Sequence, residues 1–167
     1  MNKILVTGGF GRLGLPLVNE LVGPNLVYVI DNMNNPDSLE RFGQINFRAK
    51  ITYTDIVYSQ HIWNDVKFNT VVHLATYTDE TNADADYTKV FKDCILGTMH
   101  IIKRCIKDGS KLIYVDYSRD SNRFLKFMHD DIIRMLAFYS ESGLDFVVVP
   151  SKDLINDDIR KSIISAI

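Results

Sequence analysis

The sequence predicts an α/β fold in which a mostly parallel sheet of about six strands carries helices on both faces. Strand-like apolar segments alternate with amphipathic helical segments along the 167 residues, and a glycine-rich turn follows the first of them. The strand-like segments are apolar on both faces, so the sheet must be covered on both sides. Right-handed crossovers between such strands give a doubly wound arrangement.

The strand-like segments are short, continuous runs rich in Val, Ile, Leu and Tyr, which is typical of buried strands. In chain order they are residues 3–7 (KILVT), 26–31 (LVYVID), 50–55 (KITYTD), 70–75 (TVVHLA), 111–115 (KLIYV) and 145–149 (DFVVV).

The segments between the strands predict helices, because the longer ones place apolar residues three and four positions apart. Gly23, Gly109 and Gly143 follow three of them, where glycine commonly ends a helix. Since no linker and no repeat divides the chain, we expect a single domain over residues 1–167. The predicted helices span 12–22, 84–107, 122–142 and 157–167, with short helices at 37–43 and 59–66.

Composition excludes several classes of function. A net charge of −2 gives no reason to expect binding to nucleic acid or to an anionic membrane. No apolar run approaches the length of a membrane span or a signal peptide, so we expect a cytoplasmic protein. Two cysteines form no disulfide framework, and four scattered histidines lack the spacing of metal ligands. We therefore expect no metal site.

The turn TGGFGRLG, at residues 7–14, stands between the first predicted strand and the first helix. Gly8 permits a tight turn, Gly11 lets the backbone approach a pyrophosphate, and Gly14 lets helix and strand pack closely. Free N–H groups and the helix dipole would then face the phosphates. The alternative is a glycine-rich turn that holds no ligand.

Two acidic residues at strand ends extend the predicted dinucleotide site. Asp31 follows Gly14 by 17 residues, where a carboxylate accepts hydrogen bonds from ribose hydroxyls. That carboxylate would repel a 2′-phosphate and so favours NAD over NADP, although Arg12 offers a partner for phosphate. Asp55 and Ile56 combine a polar atom with an apolar side chain that suits adenine. Asp55 as a simple cap or loop residue remains the alternative.

Several segments resemble the extended short-chain dehydrogenases/reductases, the family of the nucleotide-sugar epimerases and dehydratases. TGGFGRLG is similar to their T-G-x-x-G-x-x-G signature, VVHLAT (71–76) to their fourth strand, and DNMNN (31–35) to their ribose-binding turn. ILGTMHIIKRCIKDGSKLIYV (95–115) and GLDFVVVPS (143–151) resemble later segments. The resemblance implies a Rossmann-type fold with NAD held by Thr7, Gly8, Gly9, Phe10, Gly11, Arg12, Leu13, Gly14, Asp31, Asn32, Asp55, Ile56, Leu74, Ala75 and Thr76.

The catalytic part of the family pattern fits poorly. The family uses a Ser or Thr after the fifth strand, then a Tyr and a Lys four residues later on the next helix. Here the Tyr position falls on Phe124 and the Lys position on Met128, and no tyrosine of the chain has lysine four residues on. The Ser/Thr position falls near Tyr117 and Ser118, which are the catalytic candidates that remain. Cys94 stands where the family usually has Asn.

Three functions follow from this pattern. The first is an NAD(H)-binding protein without the usual Tyr/Lys catalysis, in which the portion that grips a nucleotide sugar is essentially missing. The second is an active but atypical epimerase, dehydratase or reductase acting on a nucleotide sugar or small carbonyl compound. The third is a structural relic without a ligand. In the family, the helices corresponding to 84–107 and 122–142 form a dimer interface, so a homodimer is expected.

Overall fold

The computed structural model describes residues 1–76, 86–117, 122–151 and 156–167. Its strands form one parallel sheet in the order β3-β2-β1-β4-β5-β6. The chain starts in the middle, builds outward to β3, and returns to the other side of β1, which confirms the doubly wound prediction. The strands are β1 (Lys3–Thr7), β2 (Leu26–Asp31), β3 (Lys50–Tyr53), β4 (Thr70–His73), β5 (Lys111–Asp116) and β6 (Asp145–Pro150).

Helices connect the strands near the predicted positions, but the short helix predicted at 59–66 is wrong: it begins earlier, because Asp55 and not Ser59 caps it. A 3₁₀ helix spans Ile56–His61, and a π-helical turn at Lys92–Leu96 joins the third helix to the fourth. Within the described ranges, no helix is long and apolar enough to cross a membrane. The α-helices are α1 (Gly14–Leu21), α2 (Ser38–Phe42), α3 (Tyr87–Phe91), α4 (Gly97–Asp108), α5 (Arg123–Ser140) and α6 (Asn156–Ala166).

The boundaries of four further predicted elements are corrected. The helix predicted at 84–107 is not a continuous α-helix, because the π turn interrupts it and the described helix begins after Asp86, which caps the N–H of Lys89 at 3.0 Å. The helix predicted at 122–142 begins after its cap Asn122 and ends at Ser140. The strands predicted at 50–55 and 70–75 end two residues early. Asp55 leaves the first strand to cap the 3₁₀ helix, and Leu74 and Ala75 leave the second to donate their N–H groups to Thr7 Oγ1.

Two apolar cores lie on opposite faces of the sheet, as side chains alternate along each strand. Leu5 and Leu112 point to the face covered by α4, α5 and the 3₁₀ helix, whereas Ile4 and Ile113 point to the face covered by α1 and α6. Both sides of the central strands are therefore buried, as the sequence predicted.

A buried arginine ties α4 to the segment after the 3₁₀ helix. Arg104 donates to the carbonyl oxygens of Ile62 (3.0 Å), Trp63 (2.8 Å) and Val66, and its Nε lies 2.7 Å from Asp108. The charged pair is thus supplied with further hydrogen bonds, which a buried ion pair needs to offset its desolvation. This contact fixes the segment after the 3₁₀ helix against α4.

Candidate dinucleotide site

The glycine turn lies at the point where the strand order reverses, between the ends of β2 and β4. Gly8 adopts φ +72° and donates its N–H to Ile30 O at 2.8 Å. A Cβ atom on Gly8 would lie 2.9 Å from the backbone nitrogen of Ala75. Both the positive φ and the close approach require glycine, which confirms the tight turn predicted there.

Gly14 and Gly9 let α1 and β2 pack against the same turn. A Cβ atom on Gly14 would lie only 2.2 Å from Gly8 O, and one on Gly9 would lie 2.3 Å from Val29 Cγ1. The first residue of α1 therefore rests on the turn, and the side chain of its N-cap residue, Leu13, makes no capping hydrogen bond. At this helix start, Leu15 donates its N–H to Gly11 O at 3.1 Å and Pro16 has no N–H, so the N–H groups that could face an anion are those before Leu15.

Asp31 is held beside the turn by two backbone groups. Its Oδ2 accepts the N–H of Phe10 at 2.8 Å, and its Oδ1 accepts the N–H of Met33 at 2.7 Å. Each carboxylate oxygen retains a second lone pair, so the half-buried group can still accept hydrogen bonds from a diol. The neighbouring Asn32 uses its side-chain oxygen locally, accepting the N–H of Asn34 at 3.1 Å.

Phe10 has a role that the sequence analysis missed. Its side chain is fully buried, and its ring contacts those of Phe42 and Tyr53 at centroid distances of 5.6 and 6.2 Å. Its carbonyl oxygen accepts a hydrogen bond from Arg41 Nη1 at 3.3 Å. The aromatic residue of the turn thereby anchors α2 and β3 to the glycine loop.

Arg12 is exposed and faces a polar cavity of about 370 Å³ between α1 and α2. Its lining carries charges of both signs, and Arg41 pairs with Asp37 at 2.7 Å. The cavity is lined by Arg12, Leu15, Asp37, Glu40, Arg41 and Gln44.

Thr7 and His73 join β1, β4 and α4 through a buried chain of hydrogen bonds. Thr7 Oγ1 accepts the N–H groups of Leu74 (3.2 Å) and Ala75 (3.1 Å), so its hydroxyl proton points to His73 Nδ1 at 2.7 Å. His73 Nε2–H then donates to Thr98 Oγ1 at 2.8 Å. Burial, assisted by His129, lowers the pKa of His73 to about 3, so its ring is neutral. Thr7 thus shapes the start of the loop after β4.

The remaining residues predicted after β4 and around the turn divide between the core and that loop. Leu13 and Leu74 are buried in the core under α1 and α6. Thr76 Oγ1 lies 3.2 Å from the Sγ atom of buried Cys94, on the π turn. Gly11 closes the turn by donating its N–H to Gly8 O at 3.1 Å.

Asp55 caps the 3₁₀ helix and also meets a lysine. Its Oδ1 accepts the N–H of Val57 at 2.9 Å, and its Oδ2 lies 3.4 Å from Lys92 Nζ. Ile56 is buried beneath α4, since a Cβ atom on Gly97 would lie 2.5 Å from Ile56 Cγ2. Ile56 therefore belongs to the core, whereas the Asp55 carboxylate stays partly accessible.

The end of β5 sends its polar side chains to opposite faces. Tyr117 packs in the core beside α1 and α6, where burial raises the pKa of its phenol. On the other face, His129 Nδ1 is hydrogen-bonded to Tyr114 Oη at 2.5 Å and lies 3.7 Å from Asp116 Oδ1. Burial lowers the pKa of His129 despite the opposing effect of Asp116. Ser118, the other catalytic candidate, lies outside the described residues.

Polar residues at the end of β5 are evident from the sequence, but the contact of His129 with Tyr114 and Asp116 is not. The one signal available was a histidine on the apolar face of a predicted helix, between Leu125 and Ile132. A histidine there is more often a satisfied core residue than a functional one, so the spacing alone could not reveal the contact.

Phe124 and Met128 occupy the positions where the resemblance leads one to expect Tyr and Lys. The ring of Phe124 meets that of Tyr87 edge-on at a centroid distance of 4.8 Å. Met128 is buried in the core between α5 and the sheet. Neither side chain carries a proton that it can exchange near neutral pH.

Comparison with known proteins agrees with this geometry. The profile of the RmlD substrate binding domain family matches residues 1–147. A dTDP-D-glucose 4,6-dehydratase from Dictyostelium discoideum is 29% identical over 124 residues, which cover 69% of this chain and 29% of that protein. A UDP-glucose 4-epimerase from Pasteurella multocida is 31% identical over 113 residues, covering 64% of this chain and 33% of that protein.

Solved structures share the fold. The UDP-glucose 4-epimerase of Thermus thermophilus superposes with a TM-score of 0.73 at 19% identity, covering 87% of this chain and 53% of that one. The L-threonine dehydrogenase of Clostridium difficile gives a TM-score of 0.72 at 15% identity, covering 90% and 53%. The matched segments thus span about a third of the curated relatives and about half of the solved chains. Since the family profile covers most of its length, the chain belongs to the RmlD substrate binding domain family, among the extended short-chain dehydrogenases/reductases of the NAD-dependent epimerase/dehydratase type.

Proposed function

We propose that the chain binds NAD(H) above the carboxyl ends of β1, β2 and β4, without the usual Tyr/Lys catalysis. The observation that carries the proposal is the glycine turn closed on α1, with the Asp31 carboxylate fixed beside it through the N–H of Phe10. The turn offers the diphosphate the backbone N–H groups that lead into α1, and the carboxylate offers the ribose an acceptor. The solved UDP-glucose 4-epimerases of Thermus thermophilus and Brucella ovis are complexes with NAD, which supports the same ligand here.

The proposal favours NAD over NADP. A 2′-phosphate on the ribose would lie next to the Asp31 carboxylate, and the two negative charges would repel each other. Arg12 is the feature that works in the other direction, since its exposed guanidinium faces a cavity beside the turn. Isothermal titration with NAD, NADH and NADPH tests the preference. We expect NAD and NADH to bind at least tenfold more tightly than NADPH, and Asp31→Ala to weaken NAD by about tenfold or more, as for a lost charged hydrogen bond.

Absence of NAD and NADH binding up to millimolar concentration would contradict the proposal. It would favour instead a structural relic, in which the buried ring of Phe10 and its aromatic neighbours serve only to pack the turn. Thermal unfolding offers a second readout, because a ligand that binds only the folded state raises its stability.

The proposed role is that of a sensor, scaffold or partner, because the residues at the family's Tyr and Lys positions cannot supply its acid–base chemistry. Phe124 has no ionisable proton, and Met128 is buried without charge. NAD-loaded protein incubated with UDP-glucose or dTDP-glucose should therefore form neither reduced cofactor nor an altered sugar. Turnover above background would show that catalysis survives.

A second candidate function is an atypical oxidoreductase acting on a nucleotide sugar or a small carbonyl compound. The cluster of Tyr114, Asp116 and His129 favours it, because burial raises the pKa of Tyr114 and lowers that of His129, and such shifts at the carboxyl edge of a sheet are typical of active sites. Asp116 reaches the surface with a side chain 22% exposed, beside the buried imidazole. Turnover of NADH that is lost in Asp116→Asn or in Tyr114→Phe would support this candidate.

We also propose a homodimer formed through α3, α4 and α5. Phe127 and Phe138 on α5 are 53% and 65% exposed, and eleven residues place them on one face of the helix, about three turns apart. Phe91 on α3 adds a further exposed ring. Sedimentation of Phe127→Glu combined with Phe138→Glu should show monomers where the wild type shows dimers. Phe47→Glu is the matched control, since Phe47 is exposed elsewhere on the surface.

A further inference from the structure

We infer that Lys92 is an adenine-recognition residue, which together with Asp55 binds the base of the dinucleotide through one donor and one acceptor. The inference rests on the proposed function and adds a specificity-determining side chain to it. Sequence spacing gave no sign of this residue, since 37 positions separate the two side chains.

The charged pair is held in a defined geometry. Val57 N–H fixes one oxygen of the Asp55 carboxylate at 2.9 Å, and Lys92 Nζ lies 3.4 Å from the other oxygen. The ammonium also lies over the ring of Tyr58, 4.8 Å from its centroid, where a cation–π contact restrains it. Because an ammonium carries three N–H donors, contact with Asp55 leaves others for a ligand.

The pair lies next to the predicted ribose site. Thr54 donates its N–H to Asp31 O at 3.0 Å, so the end of β3 is bound directly to the end of β2. Asp55 is the next residue, which places its carboxylate beyond Asp31 along the same edge of the sheet. The side chains of Lys92 and Asp55 are 34% and 21% exposed, so a bound base can reach both.

Adenine offers the complementary groups, because its exocyclic amine is a donor and the adjacent ring nitrogens are acceptors. The Asp55 carboxylate would accept from the amine, and the Lys92 ammonium would donate to a ring nitrogen. A second carboxylate, Asp93, is also close: burial and then the Asp55 charge raise the pKa of Asp93. Although desolvation opposes it, Asp55 raises the pKa of Lys92, so the ammonium is charged at neutral pH.

The experiment compares Lys92→Met with Lys103→Met, a matched control that removes an exposed lysine from α4. Affinities for NAD, adenosine monophosphate and nicotinamide mononucleotide are measured by calorimetry and by nuclear magnetic resonance titration. We expect Lys92→Met to weaken NAD and adenosine monophosphate about tenfold, as for loss of a charged hydrogen bond, and to leave nicotinamide mononucleotide unchanged. Lys103→Met should bind all three ligands as the wild type does.

Three outcomes would overturn the inference. Equal NAD affinity in both variants would remove Lys92 from the site while the proposed function stands. An equal loss for adenosine monophosphate and nicotinamide mononucleotide would show that Lys92 does not act through adenine. Failure of the wild type to bind NAD would overturn the inference and the proposed function together.

Discussion

The residues of the region around β1 and β2 match the family pattern, whereas those of the region around β5 and α5 depart from it. In the first, Gly8 and Gly14 are required by the backbone, and Asp31 is bonded to the turn itself. In the second, the positions expected to carry Tyr and Lys hold Phe124 and Met128, which pack on apolar or aromatic neighbours. The comparison teaches that backbone sterics can preserve the glycine turn of the first region while apolar side chains fill the expected Tyr and Lys positions of the second.

The largest expected effect breaks the first region. Gly14→Ala should lower the free energy of unfolding by about 4 kcal/mol, because the new methyl group would collide with the backbone of the turn. Gly43→Ala is the matched control: its φ is −63° and its Cβ would meet Glu40 O at an ordinary 3.5 Å. Urea unfolding of both variants measures the difference. Similar stabilities would show that the turn tolerates a side chain.

The next effect tests the second region. Met128→Lys restores the charge expected from the family, but it places an ammonium at a buried position in the core. We expect a loss of about 3 kcal/mol in unfolding free energy, the cost of an unpaired buried charge. Met128→Leu keeps volume and polarity, so it should lose less than about 1.5 kcal/mol. If Met128→Lys folds as stably as Met128→Leu, the position faces solvent or a polar crevice instead.

An intermediate effect concerns His73, which joins the two regions through β4. Its pKa is about 3 in the folded protein and about 6.5 when unfolded, so the unfolded chain binds the proton first as pH falls. Stability is therefore unaffected above pH ~6.5 and falls by about 1.4 kcal/mol per pH unit below it, or about 2 kcal/mol at pH ~5. Urea unfolding between neutral and acidic pH measures the slope.

Two histidine variants assign that slope. His73→Gln should make the slope shallower but leave the part due to His129, whose pKa burial also lowers. His61→Gln, at an exposed histidine, should leave the slope as in the wild type. A slope that persists unchanged in His73→Gln would mean that other groups control the acid sensitivity.

The smallest expected effect sharpens the comparison. Phe124→Tyr adds a hydroxyl to a half-buried ring that already meets Tyr87, so stability should change by less than about 1 kcal/mol. No turnover of UDP-glucose should appear, because the lysine position still holds Met128. Activity in this single variant would show that the hydroxyl alone restores chemistry, and the contrast between the regions would then rest on one residue.

The sequence predicted the sheet well because strand polarity and glycine sterics are local properties. Runs such as LVYVID are apolar on both faces wherever they pack, and the glycine at position 8 permits the positive φ of the turn. The interruption of the helix predicted at 84–107 was not predicted, because apolar residues keep a helical spacing on either side of the π turn.

Site contacts were harder to predict, because they join residues far apart in the chain. Asp31 was found from its position after β2, but its bond to the N–H of Phe10 depends on how the turn folds back. Lys92 reaches Asp55 only because the π turn and the 3₁₀ helix pack together. Ile56, expected beside adenine, is buried because Gly97 lets α4 approach it closely.

By itself, then, the sequence determined the parallel α/β architecture, the glycine turn and the absence of Tyr and Lys from their expected positions. The tertiary structure decided which distant side chains share a site, as when Tyr114, Asp116 and His129 meet between β5 and α5. The physical reason is that periodicity and backbone sterics act over a few residues, whereas strand register and helix packing determine where side chains from different elements come together.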